Sequence, residues 1–157
     1  MPTFNQENLK KFEELKKYYP TLKALTLPVL WLAQEQFGWI SPEVMKYVAG
    51  ILNVPVSHIY GVVTFYTMYN SKQRGKYHLQ ICTNVSCQLR GSDELRDHVC
   101  KKLNVRLEET TPDSLFTVSE VECLGSCGTA PMMQVNNEEY YENLSIEKVD
   151  ELLSQMK

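Results

Sequence analysis

DSLFTVSEVECLGSCGTAP, Asp113–Pro131, is the stretch on which the reading of the chain turns. Leu115–Cys123 reads as a β-strand that delivers a cysteine at its end. The ten residues Glu122–Pro131 then hold two cysteines, two glycines and a proline. An upstream segment behaves alike: YHLQIC, Tyr77–Cys82, alternates as a strand and leads straight into CTNVSC, Cys82–Cys87. Two strands therefore each carry a close cysteine pair into a loop. The pattern is Cys82-x4-Cys87, 35 residues, then Cys123-x3-Cys127, and it uses four of the five cysteines.

Four thiolates brought together from two loops can hold a zinc ion or an iron–sulfur cluster. Zinc sites favour Cys-x2-Cys knuckles, because one ion needs both sulfurs close to a single point, and the gaps here are wider. A two-iron cluster tolerates broader loops, with one cysteine pair to each iron. Gly125 and Gly128 let the backbone come close to sulfide. Their N–H groups, with Ser86 and Ser126, are candidates to donate hydrogen bonds to cluster sulfurs. A structural zinc module and a thiol oxidoreductase stay open at this level, although the redox Cys-x2-Cys is missing. A plant-type ferredoxin needs a third cysteine at position 90, which is Arg90. A Rieske centre needs two ligand histidines, and His58, His78 and His98 do not neighbour the pairs suitably. Cys100 falls within a predicted helix, away from both loops, and reads as a small packing residue.

The chain has 157 residues and an apolar fraction of 43%, enough for a buried core. The net charge of −3 is unevenly spread: residues 1–75 carry +3 and residues 76–157 carry −6. A weakly acidic chain without a basic stripe argues against nucleic acid as the partner. The start, MPTFNQENLKK, has no apolar signal region, and the longest apolar run, LTLPVLWLA, is too short to span a bilayer and carries a proline. The expectation is a soluble, cytoplasmic protein with no direct membrane insertion. In that reducing compartment, clustered cysteines suit metal ligation better than structural disulfides.

The first 70 residues read as helices. Phe12, Leu15 and Tyr19 recur at helical spacing, and Pro20 closes that segment. A second helix begins near Thr26, with Pro28 in its first turn, and ends at Gly38. Ser41 caps a third, with Pro42 at its first position and Val44, Tyr47, Val48 and Ile51 as its apolar stripe. The β-branched run 54–69 is read as a fourth helix from the spacing of Ile59, Val62, Val63 and Tyr66. Asn70–Lys76, NSKQRGK, is a polar linker, which sets the expected domains at 1–72 and 73–157. Beyond it the predicted order is β-α-β-β-β-α. Ser92 is expected to cap a helix with Leu95, Val99 and Leu103 inward. Asn136-Asn137 turns a hairpin. Ser145 caps a closing helix with Ile146, Val149, Leu152 and Leu153 inward.

Asp113–Pro131 matches every fixed position of Asp-x2-Phe-Ser/Thr-x5-Cys-Leu-Gly-x-Cys-x2-Gly/Ala-Pro, and so resembles the signature of the thioredoxin-like [2Fe–2S] ferredoxins. CTNVSCQLRGS resembles that family's first ligand loop. AQEQFGWISPE and GVVTFYTMY resemble the helical front of the small peripheral-arm subunit of NADH:quinone oxidoreductase and of its counterparts in NAD-linked hydrogenases and formate dehydrogenases. The resemblance implies an α+β chain: an N-terminal helical bundle followed by a thioredoxin-like α/β domain. It implies one [2Fe–2S] cluster, with Cys82, Cys87, Cys123 and Cys127 as ligands. It also implies a flavin-containing, NADH-oxidising partner subunit, and so a place at the inner face of the membrane through the complex. The expected role is electron transfer as a subunit of an oxidoreductase, with no catalysis by the chain alone, since it has neither Gly-x-Gly-x-x-Gly after a strand nor a phosphate loop. Trp31, Trp39, Tyr66 and Tyr69 are candidate docking anchors. Pro131, just after Cys127, corresponds to a proline that is often cis in thioredoxin-like folds.

Overall fold

A computed structural model describes residues 2–157, which divide into two compact units, the first ending at Gln73 and the second comprising Arg74–Lys157. In the first, helix α1 spans Gln6–Leu15, with Asn5 Oδ1 accepting from the Asn8 N–H at 2.8 Å. It ends four residues short of Tyr19, which is 38% exposed. The helix gives way to a turn over residues 16–18, and Tyr19, the residue before Pro20, is itself kept out of the helical region. A 3-10 turn, Leu22–Leu25, leads into α2, Thr26–Phe37, which Gly38 closes in the left-handed region (φ 79°). Helix α3, Pro42–Leu52, is capped by Ser41 as expected, and α4 spans Val56–Phe65.

The β-branched content of α4 is outweighed by what its helical face buries. Ile59 and Val63 enter one core with Leu25, Val29, Leu30, Ile40, Val48 and Leu52, and each such side chain is worth about 1.5–3 kcal/mol. Gln34 ties the following segment down, accepting from the Asn70 N–H at 2.6 Å and donating to Met68 O at 2.8 Å. Of the four aromatic candidates, Tyr69 is core, its hydroxyl donating to Leu27 O, and Trp31 packs against the same core. Trp39 is half-buried and Tyr66 partly exposed. Tyr60 and Phe65 are the exposed aromatics of α4. No single helix among the described residues is long and apolar enough to cross a membrane; α3 and α4 are apolar together but bend by 120°.

The second unit holds a four-stranded sheet in the order β2-β1-β3-β4. Strand β1, Tyr77–Cys82, runs parallel to β2, Phe116–Val121, and antiparallel to β3, Met133–Val135, which pairs with β4, Glu139–Tyr141. A parallel pair needs a crossover. It is supplied by α5, Val85–Gln88, and α6, Ser92–Leu103, while α7, Ile146–Gln155, closes the chain. Leu79, Ile81, Val118, Met133 and Val135 face the helices and pack with Leu95, Val99, Val149 and Leu153.

The alternate strand positions form a second face that the sequence reading did not anticipate. His78, Gln80, Thr117, Ser119 and Gln134 are all buried and polar. Their hydrogen bonds run across strands: a His78 Nε2–Ser119 Oγ contact at 2.7 Å, Gln80 Nε2 donating to Asn137 Oδ1 at 2.7 Å, and the Gly75 N–H donating to Thr117 Oγ1 at 2.7 Å. Gly75 lies so close that an added Cβ would stand 2.8 Å from the Phe116 backbone N and C.

Local details differ from expectation in three places. Gly91, at φ 90°, caps α6 and redirects the chain, so Ser92 enters the helix as a buried residue instead of capping it. Strand β2 ends at Val121, and Cys123 follows two residues beyond it. The four-residue α5, with Asn84 at its N-cap, lies inside what reads as a simple loop. The hairpin turns where predicted, with Asn136 and Asn137 both at positive φ and the Glu138 N–H donating to Val135 O at 3.0 Å. Ser145 caps α7 as predicted, and the Ala130–Pro131 peptide is cis.

Candidate metal centre

Cys82 ends β1 where that strand is fastened on both sides. Its N–H donates to Met132 O at 3.2 Å, and the Thr83 N–H donates to Val121 O at 3.1 Å. Asn84 then turns the chain into α5, its Oδ1 accepting from the Val85 N–H, and α5 swings Cys87 back beside Cys82. The two thiols are 3% and 2% exposed and pack with Val121, Ala130 and Met132.

The second pair lies on the connection from β2 to β3. Cys123 and Cys127 are both exposed. The Gly125 N–H donates to Cys123 Sγ at 3.4 Å, from a backbone held at φ 77°. Cys127 opens a 3-10 turn ending at Thr129. The β4 hairpin secures this loop. Tyr140 Oη donates to Leu124 O at 3.2 Å, and the Ser126 and Thr129 hydroxyls both donate to Glu142. Ser126 therefore has its hydroxyl committed to Glu142 and Thr129. Ser86 is half-buried on α5, and among the described residues no atom beyond its two chain neighbours lies within 4 Å of where a Gly128 Cβ would stand.

Electrostatics tie the two loops together. Burial pushes the Cys87 thiol up to about 11, helped by Cys82 beside it and by Cys127, while a hydrogen bond from the Met132 backbone N–H opposes the shift. Reactive cysteines work through a lowered pKa, so Cys87 is unsuited to nucleophilic or exchange chemistry at neutral pH. A bound metal reverses that balance by deprotonating the thiol outright. A buried and an exposed sulfur pair with backbone N–H support on both loops (Met132 to Cys87, Gly125 to Cys123) fit a thiolate-ligated metal group. Among the described residues, no three His, Cys, Asp or Glu side chains form a ready site for one ion; the donors come as two pairs on two loops.

The other titratable candidates lie apart. Cys100 packs into the core of α6 and α7, not with Cys82 and Cys87. His98 pairs with Asp150 at 2.7 Å, and His58 lies 3.3 Å from Thr26 Oγ1. Met132, Tyr140 and Glu142 are the site residues that sequence reasoning missed. Met132 acts through its backbone and leaves no side-chain signal. Glu142 lies in a run of acidic residues that reads as a solvated edge.

The sequence profile described as thioredoxin-like [2Fe-2S] ferredoxin matches residues 12–157. The E subunit of NADH-quinone oxidoreductase from Rickettsia conorii is 46% identical over 157 residues, covering 98% of this chain and 93% of the relative. NADH-quinone oxidoreductase subunit 2 of Thermus thermophilus is 41% identical over 143 residues, covering 90% of this chain and 79% of the relative. An NAD+-reducing [NiFe]-hydrogenase in its air-oxidised state shares the fold, with a TM-score of 0.74 at 18% identity. That match covers 84% of this chain but only 22% of the hydrogenase chain.

Proposed function

The chain belongs to the thioredoxin-like [2Fe–2S] ferredoxin family, and from that premise we propose that it is the electron-transfer subunit of an NADH-quinone oxidoreductase, working beside a flavin-containing subunit that oxidises NADH. Cys82, Cys87, Cys123 and Cys127 would hold one [2Fe–2S] cluster. Bound there, that group supplies one-electron chemistry, while NADH yields two electrons as hydride, so a flavin must divide the pair. The single observation that carries the reading is the pairing of a buried, backbone-supported cysteine pair with a second, exposed pair on the neighbouring loop.

The residues of this chain do the remaining work. Cys82, Cys87, Val121, Ala130 and Met132 keep water from one side of the site. The N–H groups of Met132 and Gly125 support sulfur as it gains negative charge. Val85 and Leu89, exposed beside Cys87, offer apolar contact to a partner at the edge through which electrons would enter. The respiratory assignment over a hydrogenase or formate dehydrogenase is supported by relatives above 40% identity that match most of their length, whereas the hydrogenase likeness concerns fold alone.

An oxidised chain purified with its iron should be red-brown and should show no NADH oxidation with an artificial acceptor until the flavoprotein subunit is added. A colourless, zinc-containing chain would sink the electron-transfer reading. NADH-dependent reduction by the flavin-free chain would sink the division of labour.

A further inference from the structure

Residues 140–144 run alongside the second cysteine loop and grip it at four points. Tyr140 Oη donates to Leu124 O, the Asn143 N–H to Thr129 O at 2.7 Å, and the Leu144 N–H to Pro131 O at 3.0 Å. The fourth grip is different in kind. One carboxylate oxygen of Glu142 accepts from both the Ser126 and the Thr129 hydroxyl, the latter at 2.6 Å, and those hydroxyls lie 2.6 Å from each other. Ser126 immediately precedes Cys127 and Thr129 is the last residue of the turn that Cys127 opens. A charged acceptor thus closes a ring around the turn, and hydrogen bonds to a charged acceptor are about twice as strong as neutral ones.

We propose that Glu142 is the positioning residue for Cys127: it locks the Ser126–Thr129 turn and holds both flanking hydroxyls on its carboxylate. Nothing in the proposed electron-transfer role requires such a clamp, although the inference rests on that role in taking Cys127 as a ligand. Two consequences follow. Without the carboxylate, the turn loosens. The freed hydroxyls can then donate to the Cys127 sulfur, and a nearby negative charge is gone, and both changes favour the reduced state of a bound cluster.

The test uses the full chain in two forms. In the cluster-free chain, hydrogen exchange of the Thr129 amide, which donates to Ser126 O at 3.1 Å, and of the Asn143 amide, which donates to Thr129 O at 2.7 Å, should quicken about tenfold in Glu142→Ala, the loss expected for a charge-assisted bond. In the iron-loaded chain, Glu142→Ala should release iron to a chelator faster by a similar factor and show a higher midpoint potential. Glu142→Gln keeps an acceptor, so it should hold exchange near the wild-type rate while the rise in potential persists. The double variant Ser126→Ala/Thr129→Ala should exchange as fast as Glu142→Ala but without the rise, because the carboxylate stays and no hydroxyls are freed. Adding Glu142→Ala to it should cause no further loss of protection, as expected for members of one network. Glu139→Gln removes a charge from the same hairpin without touching the loop and should leave exchange and iron release unchanged.

Wild-type exchange in Glu142→Ala, or the same acceleration in Glu139→Gln, would overturn the proposal. A chain that binds no iron would defeat the electron-transfer reading instead, and exchange in the cluster-free form would still decide whether the clamp exists.

Discussion

His78 should make the stability of this protein fall on mild acidification. The ring is 4% exposed, one nitrogen meets Ser119 Oγ, and Nδ1 has no hydrogen-bond partner among the described residues. Protonation would place a second N–H donor there with nothing to accept it. Burial, with the nearby Arg74 guanidinium, lowers the pKa from 6.5 to about 4. The folded state therefore binds the proton more weakly than the unfolded chain. Stability from this group is complete above about pH 6.5, is lost as pH falls toward 4, and levels off below. With those two values the loss between about pH 7.5 and pH 5 is about 2 kcal/mol, approaching about 3 kcal/mol by pH 4. Urea unfolding of the cluster-free chain at several pH values measures it, with His78→Gln as the comparison. The substitution carries a packing cost that is the same at every pH, while carboxylates titrate alike in both proteins. The stability difference between wild type and variant should shrink on acidification with a slope of nearly one proton near pH 5. Parallel curves from pH 7.5 to pH 5 would refute the reasoning.

Replacing Cys82, Cys87, Cys123 or Cys127 by Ala should abolish or degrade the visible bands of the iron-loaded chain. Cys100→Ala should keep them at a packing cost of about 1 kcal/mol, and loss of the bands there would overturn the ligand set. Redox titration should give a midpoint on the order of a few hundred millivolts negative, because four thiolates and an acidic half-chain oppose an added electron; a positive value would exclude the assignment. Gly75→Ala should cost about 1–3 kcal/mol, because its Cβ meets backbone atoms that cannot step aside.

The two cysteine pairs were legible as loop pairs because each follows a strand closely in sequence, and the caps at Ser41 and Ser145 and the Asn136-Asn137 turn were legible because each is settled locally between side chain and backbone. What stayed hidden depends on distant partners. Strand alternation shows His78, Gln80 and Ser119 opposite the core but gives no sign that they are buried, since polar residues at alternate positions ordinarily face water. Gly91 outranked Ser92 at the start of α6 because the left-handed turn comes first in the chain, and the Ser92 side chain is fully buried. Glu142 reaches its hydroxyls across 13 and 16 residues, a separation at which no sequence motif operates.

The unequal burial of the two cysteine pairs divides their chemical fates. Cys87 is shut away with its thiol pushed up to about 11, whereas Cys123 and Cys127 stand in solvent. Electrophiles and peroxide select sulfur that they can reach. A chain that has lost its iron, or has never received it, will therefore be marked first on the second loop. Mass spectrometry after a brief pulse of alkylating reagent should find the label on Cys123 and Cys127 while Cys82 and Cys87 remain free. Oxidative ageing would then modify Cys123 and Cys127 and leave Cys82 and Cys87 as thiols.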